Sequence, residues 1–365
     1  MTMALFILVL LLAASNGAND NFKGVAALYG SRVAGYRICL AWASITTLAG
    51  SLCSVFVARA LLKAFTGAGL VPADVAAQVG FALAVAGGAG LTIALASWRG
   101  LPISTTHALV GAMCGTGVIA VGVAGVQFST LGASFLLPLL ASPVIAIVPA
   151  WLIAPWLRRL AARAAKQPEC ICDTREPEAL TSAGIQMHST SQTMAATRAE
   201  CELHGMQPRL LRTDARGGVN ALLFLSGGAV SFARGLNDTP KIAALLLPIA
   251  FLDGSAAVLA VGMAMLIGGL MGARRVAHTM SDRITQVDIG AALSASLTTA
   301  LLVSTASVNG LPVSTTHVSV GALAGAGASS RGGVNRGVMT GIALSWVITL
   351  PVGAVFGAVL YWLLG

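Results

Sequence analysis

Long continuous apolar runs, broken by short polar segments, set the pattern of this chain, and the same few polar residues recur deep inside them. Ala41–Leu62, Val75–Trp98, Leu131–Leu157, Ala243–Met271 and Val338–Leu364 each reach the roughly 20 residues that cross a bilayer as a helix. The runs do not alternate, so they predict an all-α polytopic membrane protein and argue against a β-barrel. Polar breaks divide the chain into about five crossings in each of two halves, ten in all with both termini outside. Counting the segments around residues 101–107 and 311–317 as re-entrant hairpins widens the range to 10–12 membrane segments. Met1–Ala14 is apolar but lacks a basic n-region and continues straight into polar sequence, so it reads as a retained first helix rather than a signal peptide.

Composition agrees with this reading. Hydrophobic residues make up 56% of the 365 residues and charged residues 10%, where a soluble domain carries about 25%. The net charge of +9 belongs to short loops and one linker. No basic stripe interleaved with aromatics is present, so nucleic acid is not an expected partner. Cys39, Cys53 and Cys114 lie in apolar runs and read as small packing residues.

Two polar motifs each occur twice. Asn19-Asp20-x-x-Lys23 returns as Asn237-Asp238-x-x-Lys241, and Leu101-Pro102-Ile103-Ser104-Thr105-Thr106-His107 returns as Leu311-Pro312-Val313-Ser314-Thr315-Thr316-His317. The chain therefore divides into a first transmembrane repeat (1–157), a polar linker (158–216) and a second repeat (217–365). Charges in equivalent loops swap sides. Arg32 and Arg37 follow the first Asn-Asp motif, whereas Asp253-Gly254 follows the second. The loop Gly67–Asp74, which has no basic residue, answers to Arg274, Arg275, His278 and Arg283, and Arg99 answers to Asn309. Basic residues mark cytoplasmic loops, so the halves are expected to lie in opposite orientations, an inverted-topology repeat with broken helices. The basic flanks of the linker place it in the cytoplasm.

Polar residues at membrane depth are costly unless they serve a site. Gly17-Ala18-Asn19-Asp20 and Gly235-Leu236-Asn237-Asp238 read as helix breaks, exposing donors for anions and oxygens for a hard cation. The plainer reading is a pair of internal salt bridges, Asp20–Lys23 and Asp238–Lys241. Each Pro-x-Ser-Thr-Thr reads as a helix start rich in neutral donors, and two of them facing one another suit a tetrahedral oxyanion. Hydroxyls bonding back to helix carbonyls is the local alternative. His107 and His317 read as hydrogen-bonded structural residues, with proton carriage the competing role.

On these motifs the chain resembles the inorganic phosphate transporter (PiT) family, over both apolar halves and not the linker. The resemblance implies secondary active transport of inorganic phosphate across the plasma membrane by alternating access, coupled to sodium or protons, with sulfate or another oxyanion as the alternative cargo. It implies substrate binding by Ser104, Thr105, Thr106, Ser314, Thr315 and Thr316, with Asn19 and Asn237 beside them and cation sites at Asp20 and Asp238. A homodimer is a further family expectation, and the lipid bilayer a necessary partner. The chain departs from the family pattern at Lys23, Lys241 and Arg234, where an ammonium group can stand in for a bound sodium and Arg234 can grip an oxyanion. Alternatively these bases sit at helix ends and snorkel to water.

The linker adds Cys170, Cys172, Cys201 and His204, a set that can hold a metal, with free thiols as the default; no other cofactor is expected. A membrane hydrolase using Ser, His and Asp is disfavoured, because catalysis needs one nucleophile and a transport site gains from two equivalent halves.

Overall fold

The apolar runs fold as ten long helices, five from each half, in a computed structural model that describes residues 1–165, 170–174, 192–196, 207–211, 215–250, 252–283, 288–329 and 333–364. The first half contributes α1 (Thr2–Asp20), α2 (Tyr36–Val57), α3 (Val79–Trp98), α4 (Thr105–Gly125) and α5 (Leu137–Ala165). The second contributes α6 (Ala215–Ala243), α7 (Gly254–Gly272), α8 (Ile289–Val308), α9 (Thr315–Ala328) and α10 (Arg336–Leu364). Among the described residues, nine helices are long and apolar enough to cross a membrane; α9, with 14 residues, is not among them. Residues 170–174, 192–196 and 207–211 of the linker form a small antiparallel sheet with the first strand in the middle.

Helix packing is reciprocal between the halves. α1 packs on α7 as α6 packs on α2; α1 on α3 as α6 on α8; α3 on α4 as α8 on α9. The fifth helices are exchanged, so that α10 lies on α3 and α4 while α5 lies on α8 and α9. Matched glycines allow the closest approaches. A Cβ on Gly17 would lie 2.0 Å from the carbonyl oxygen of Met265, and one on its counterpart Gly235 would lie 2.1 Å from that of Thr47. Gly268 and Gly50 stand in the same relation to Ala14 and Phe232, at 1.9 and 2.0 Å. Between apolar helices no hydrophobic gain remains in lipid, so backbone contact of this kind supplies the association.

Several expectations change in detail. The run Ala243–Met271 is not one crossing. α6 ends at Ala243, a 3-10 turn covers Ala244–Leu246, and α7 starts only after Asp253, whose carboxylate accepts from the Ala256 N–H at 2.7 Å. The two Gly-x-Asn-Asp segments are helical, not breaks. α1 breaks just after its motif, at 21–25, and α6 runs on through Pro240. Gly17 and Gly235 serve helix contact instead. Near the linker, Arg158 ties the end of α5 to both neighbouring helices, pairing with Asp288 at 2.6 Å and donating to the terminal carbonyls of Ser329 and Ala326.

Candidate functional site

Each heptapeptide is positioned by the same local chemistry. α3 and α8 end at glycines with left-handed φ, 71° at Gly100 and 70° at Gly310. The next residue's N–H closes the helix end, Leu101 onto Ala96 O at 2.9 Å and Leu311 onto Ala306 O at 2.8 Å. This is the glycine helix stop, and Pro102 and Pro312 prevent the helix from resuming. The chain then runs extended to Ser104 and Ser314, whose hydroxyls cap α4 and α9 by accepting from His107 N–H at 3.2 Å and His317 N–H at 3.3 Å. The two serine side chains of the expected oxyanion cage are therefore engaged as helix caps in this structure.

The two helix starts meet across the interface between the halves. Thr316 donates to Ile103 O at 2.8 Å and Thr106 donates to Val313 O at 3.3 Å. Just beyond, the rings of His107 and His317 lie 4.6 Å apart, and His317 Nδ1 is 2.9 Å from Leu139 O. A carbonyl only accepts, so that nitrogen carries the proton.

Around these starts the Asn-Asp-Lys motifs are fully buried. Lys23 Nζ reaches Asp20 Oδ1 at 2.5 Å, Thr316 Oγ1 at 2.6 Å, Ile103 O at 2.8 Å and Asn19 Oδ1 at 2.9 Å. Lys241 Nζ reaches Val313 O at 2.7 Å and Thr106 Oγ1 at 2.9 Å, with Asp238 Oδ1 at 3.5 Å. Asn19 donates to Ser97 and Leu101 O, and Asn237 donates to Thr315 and Val313 O while accepting from Ser307. Arg234 donates to Asn16, Asn21 and Thr47, with Nε 3.8 Å from Asp238 Oδ2. Asn16 in turn donates to Thr105 at 2.7 Å, and Thr105 donates to Asp20 at 3.4 Å.

The snorkelling alternative for the three bases fails. Lys23 is 3% exposed, and Lys241 and Arg234 are 0% exposed. The internal Asp–Lys pairs do form, but each ammonium also bridges both halves, which makes them more than local bridges. All thirteen residues expected in the membrane site thus come together. Asn16, Asn21, Thr47, Ser97, Ser307 and the carbonyls of Ile103 and Val313 join them unforeseen. Ser97 and Ser307 were findable, since each precedes its heptapeptide serine by the same interval in both halves. The proposed linker ligands, Cys201 and His204 and the side chains of Cys170 and Cys172, lie outside the described residues.

A cavity of about 750 Å³ approaches this centre from one side, lined by Ala18, Ser97, Arg99, Gly100, Arg274 and Arg275 among others. Ser97, one of its lining residues, accepts from the Asn19 amide at 3.1 Å. Arg274 also borders a second cavity with Arg37, so the basic loops after α1 and α7 share one face.

Comparison with known proteins agrees with the architecture. The phosphate transporter family model matches residues 16–357. The chain is 26% identical over 375 residues to a probable low-affinity inorganic phosphate transporter of Mycobacterium leprae, covering 100% of this chain and 79% of that protein. It is 27% identical over 363 residues to a protein of the same description from Rhizobium meliloti, covering 95% and 91%. A 108-residue stretch, 29% of this chain and 22% of the other, is 40% identical to the low-affinity inorganic phosphate transporter PitA of Escherichia coli. Among solved structures, one described as the sodium-dependent phosphate transporter superposes with a TM-score of 0.77 at 24% identity, covering 100% of this chain and 98% of that one.

Proposed function

Because this chain belongs to the phosphate transporter family, we propose that it is a secondary permease that moves inorganic phosphate by alternating access between two inverted halves. The observation that carries the reading is the meeting of two helix starts around a buried excess of positive charge. Among the described residues, Lys23, Lys241 and Arg234 face two carboxylates, Asp20 and Asp238, at that centre. Each helix N-terminus adds about half a positive charge. A phosphate of one or two negative charges balances this sum, and its oxygens suit the first N–H groups of α4 and α9, which have no partner within their helices.

Alternating access is supported by the reciprocal packing. With five long helices per half, the sixth helix runs against the first, so a two-fold axis lying in the membrane plane relates the repeats. The basic face with Arg37, Arg99, Arg274 and Arg275 is then cytoplasmic, as is the linker, and the host bilayer is the plasma membrane. Transport is driven by a coupled cation, sodium or proton.

The test is exchange of labelled phosphate by purified protein in liposomes, with sodium, pH and unlabelled sulfate varied separately. Saturable exchange that phosphate quenches better than sulfate is the expected result. Exchange no faster than in protein-free liposomes would sink the proposal, and stronger quenching by sulfate would reassign the cargo.

A further inference from the structure

We infer that Lys23 and Lys241 are the resident cations of the two Asn-Asp sites, so that the positions a coupling sodium ion would take are permanently filled from within the chain. The inference rests on reading the buried centre as the transport site. Its ground is the composition of the two ammonium cages.

Lys23 Nζ is surrounded by a carboxylate, an amide oxygen, a main-chain carbonyl and a hydroxyl, at 2.5–2.9 Å. An ammonium group has three protons and no acceptor, so a site offering only oxygens holds its charged form. Oxygen-only coordination by carboxylate, carbonyl and amide is also what a hard metal cation takes. Lys241 Nζ has three of the four kinds of partner, the carbonyl of Val313, the hydroxyl of Thr106 and the more distant carboxylate of Asp238, while the amide oxygen of Asn237 accepts from Ser307 instead. The two sets are counterparts under the internal repeat. In each, the carbonyl comes from the lysine's own half and the hydroxyl from the opposite half.

Three consequences follow. A tethered cation has a very high effective concentration at its site, so a free ion of equal charge cannot compete for the same oxygens. A cation that never leaves carries no gradient energy, so the sodium gradient does no work through these two positions. The positive charge that co-bound ions would bring is present before substrate arrives. The Lys241 cage is the looser one, because Asp238 stands 3.5 Å away and is shared with Arg234 at 3.8 Å.

The experiment uses the full-length protein in detergent and in liposomes, with Lys23→Met, Lys241→Met and the double variant. The first readout is unfolding temperature in sodium chloride against choline chloride. Wild type should show no sodium-specific shift, and each variant should rise by several degrees as the ion enters the vacated cage. The second readout is phosphate exchange. Wild type should vary less than twofold when sodium is replaced by N-methylglucamine, whereas a variant should be at least tenfold faster with sodium than without. Sodium stabilisation of the wild type, or a tenfold sodium requirement for its exchange, overturns the inference without recourse to any variant. Variants that fold and ignore sodium in both readouts also overturn it. Sodium-specific stabilisation of the variants with no phosphate exchange by any form would refute the phosphate reading while leaving the resident cations in place.

Discussion

At the scale of single residues, burial gives the charged side chains their weight. Arg234 is fully enclosed and links Asp238 to Asn16, Asn21 and Thr47. Removing one partner from a buried ionic cluster costs about 3–5 kcal/mol. Arg234→Met should therefore lower the thermal unfolding temperature sharply, and Arg234→Lys should not rescue it, because a single ammonium cannot reproduce the divergent contacts of the guanidinium fork. Stability of Arg234→Met equal to wild type would show that Asp238 does not depend on this partner. The capping serines are a milder case. Ser104→Ala and Ser314→Ala each remove the side-chain acceptor at a helix start, a loss of about 1 kcal/mol. Equal, modest destabilisation of both is expected by denaturant unfolding in detergent, and a loss confined to one would argue that the helix starts are not equivalent.

At the scale of helices, backbone contact through glycine organises the interfaces. Gly268 and Gly50 are counterparts at the α1–α7 and α6–α2 contacts, and neither interface has room for a methyl group. Forcing extra volume into a packed interface costs about 1–3 kcal/mol. Gly268→Ala and Gly50→Ala should both fall in that range, measured as lost monodispersity or melting temperature. Gly341 in α10 meets nothing within 4 Å, so Gly341→Ala should be neutral or stabilise by up to about 1 kcal/mol through helix propensity. If Gly341→Ala destabilised as much as the other two, close packing would be the wrong basis for the argument.

At the scale of the molecule, the two halves share one plan but present different faces. Arg37 and Arg274 border one cavity, while Thr66 and Ala68 border another with Leu247 and Pro248. An inverted repeat therefore requires single cysteines at Arg37 and Arg275 to label from one side, and those at Gly67 and Asp253 from the other, in a background lacking native cysteines. Labelling of positions 37 and 253 from the same side would end the inverted arrangement, whatever the packing symmetry.

The local pattern determined much of this. Apolar run length fixed helices, because lipid leaves a backbone no other partner than itself. Gly-Leu-Pro followed by Ser-Thr-Thr fixed where α3 and α8 stop and where α4 and α9 start, since left-handed φ, a missing donor and a capping hydroxyl act within a few residues. The duplication marked Asp20, Asp238 and the threonines as one site. Depth along the membrane is not local. Lys23 and Lys241 could snorkel or be enclosed with identical neighbours in sequence, and only the approach of Ile103, Thr316, Val313 and Thr106 from distant segments settled it. The same holds for Gly17 and Gly235, whose flexible backbone reads as a break until Met265 and Thr47 are seen pressed against them. The exchange of α5 and α10 between halves likewise had no signature in the chain, because apolar helices in lipid select their neighbours by surface shape.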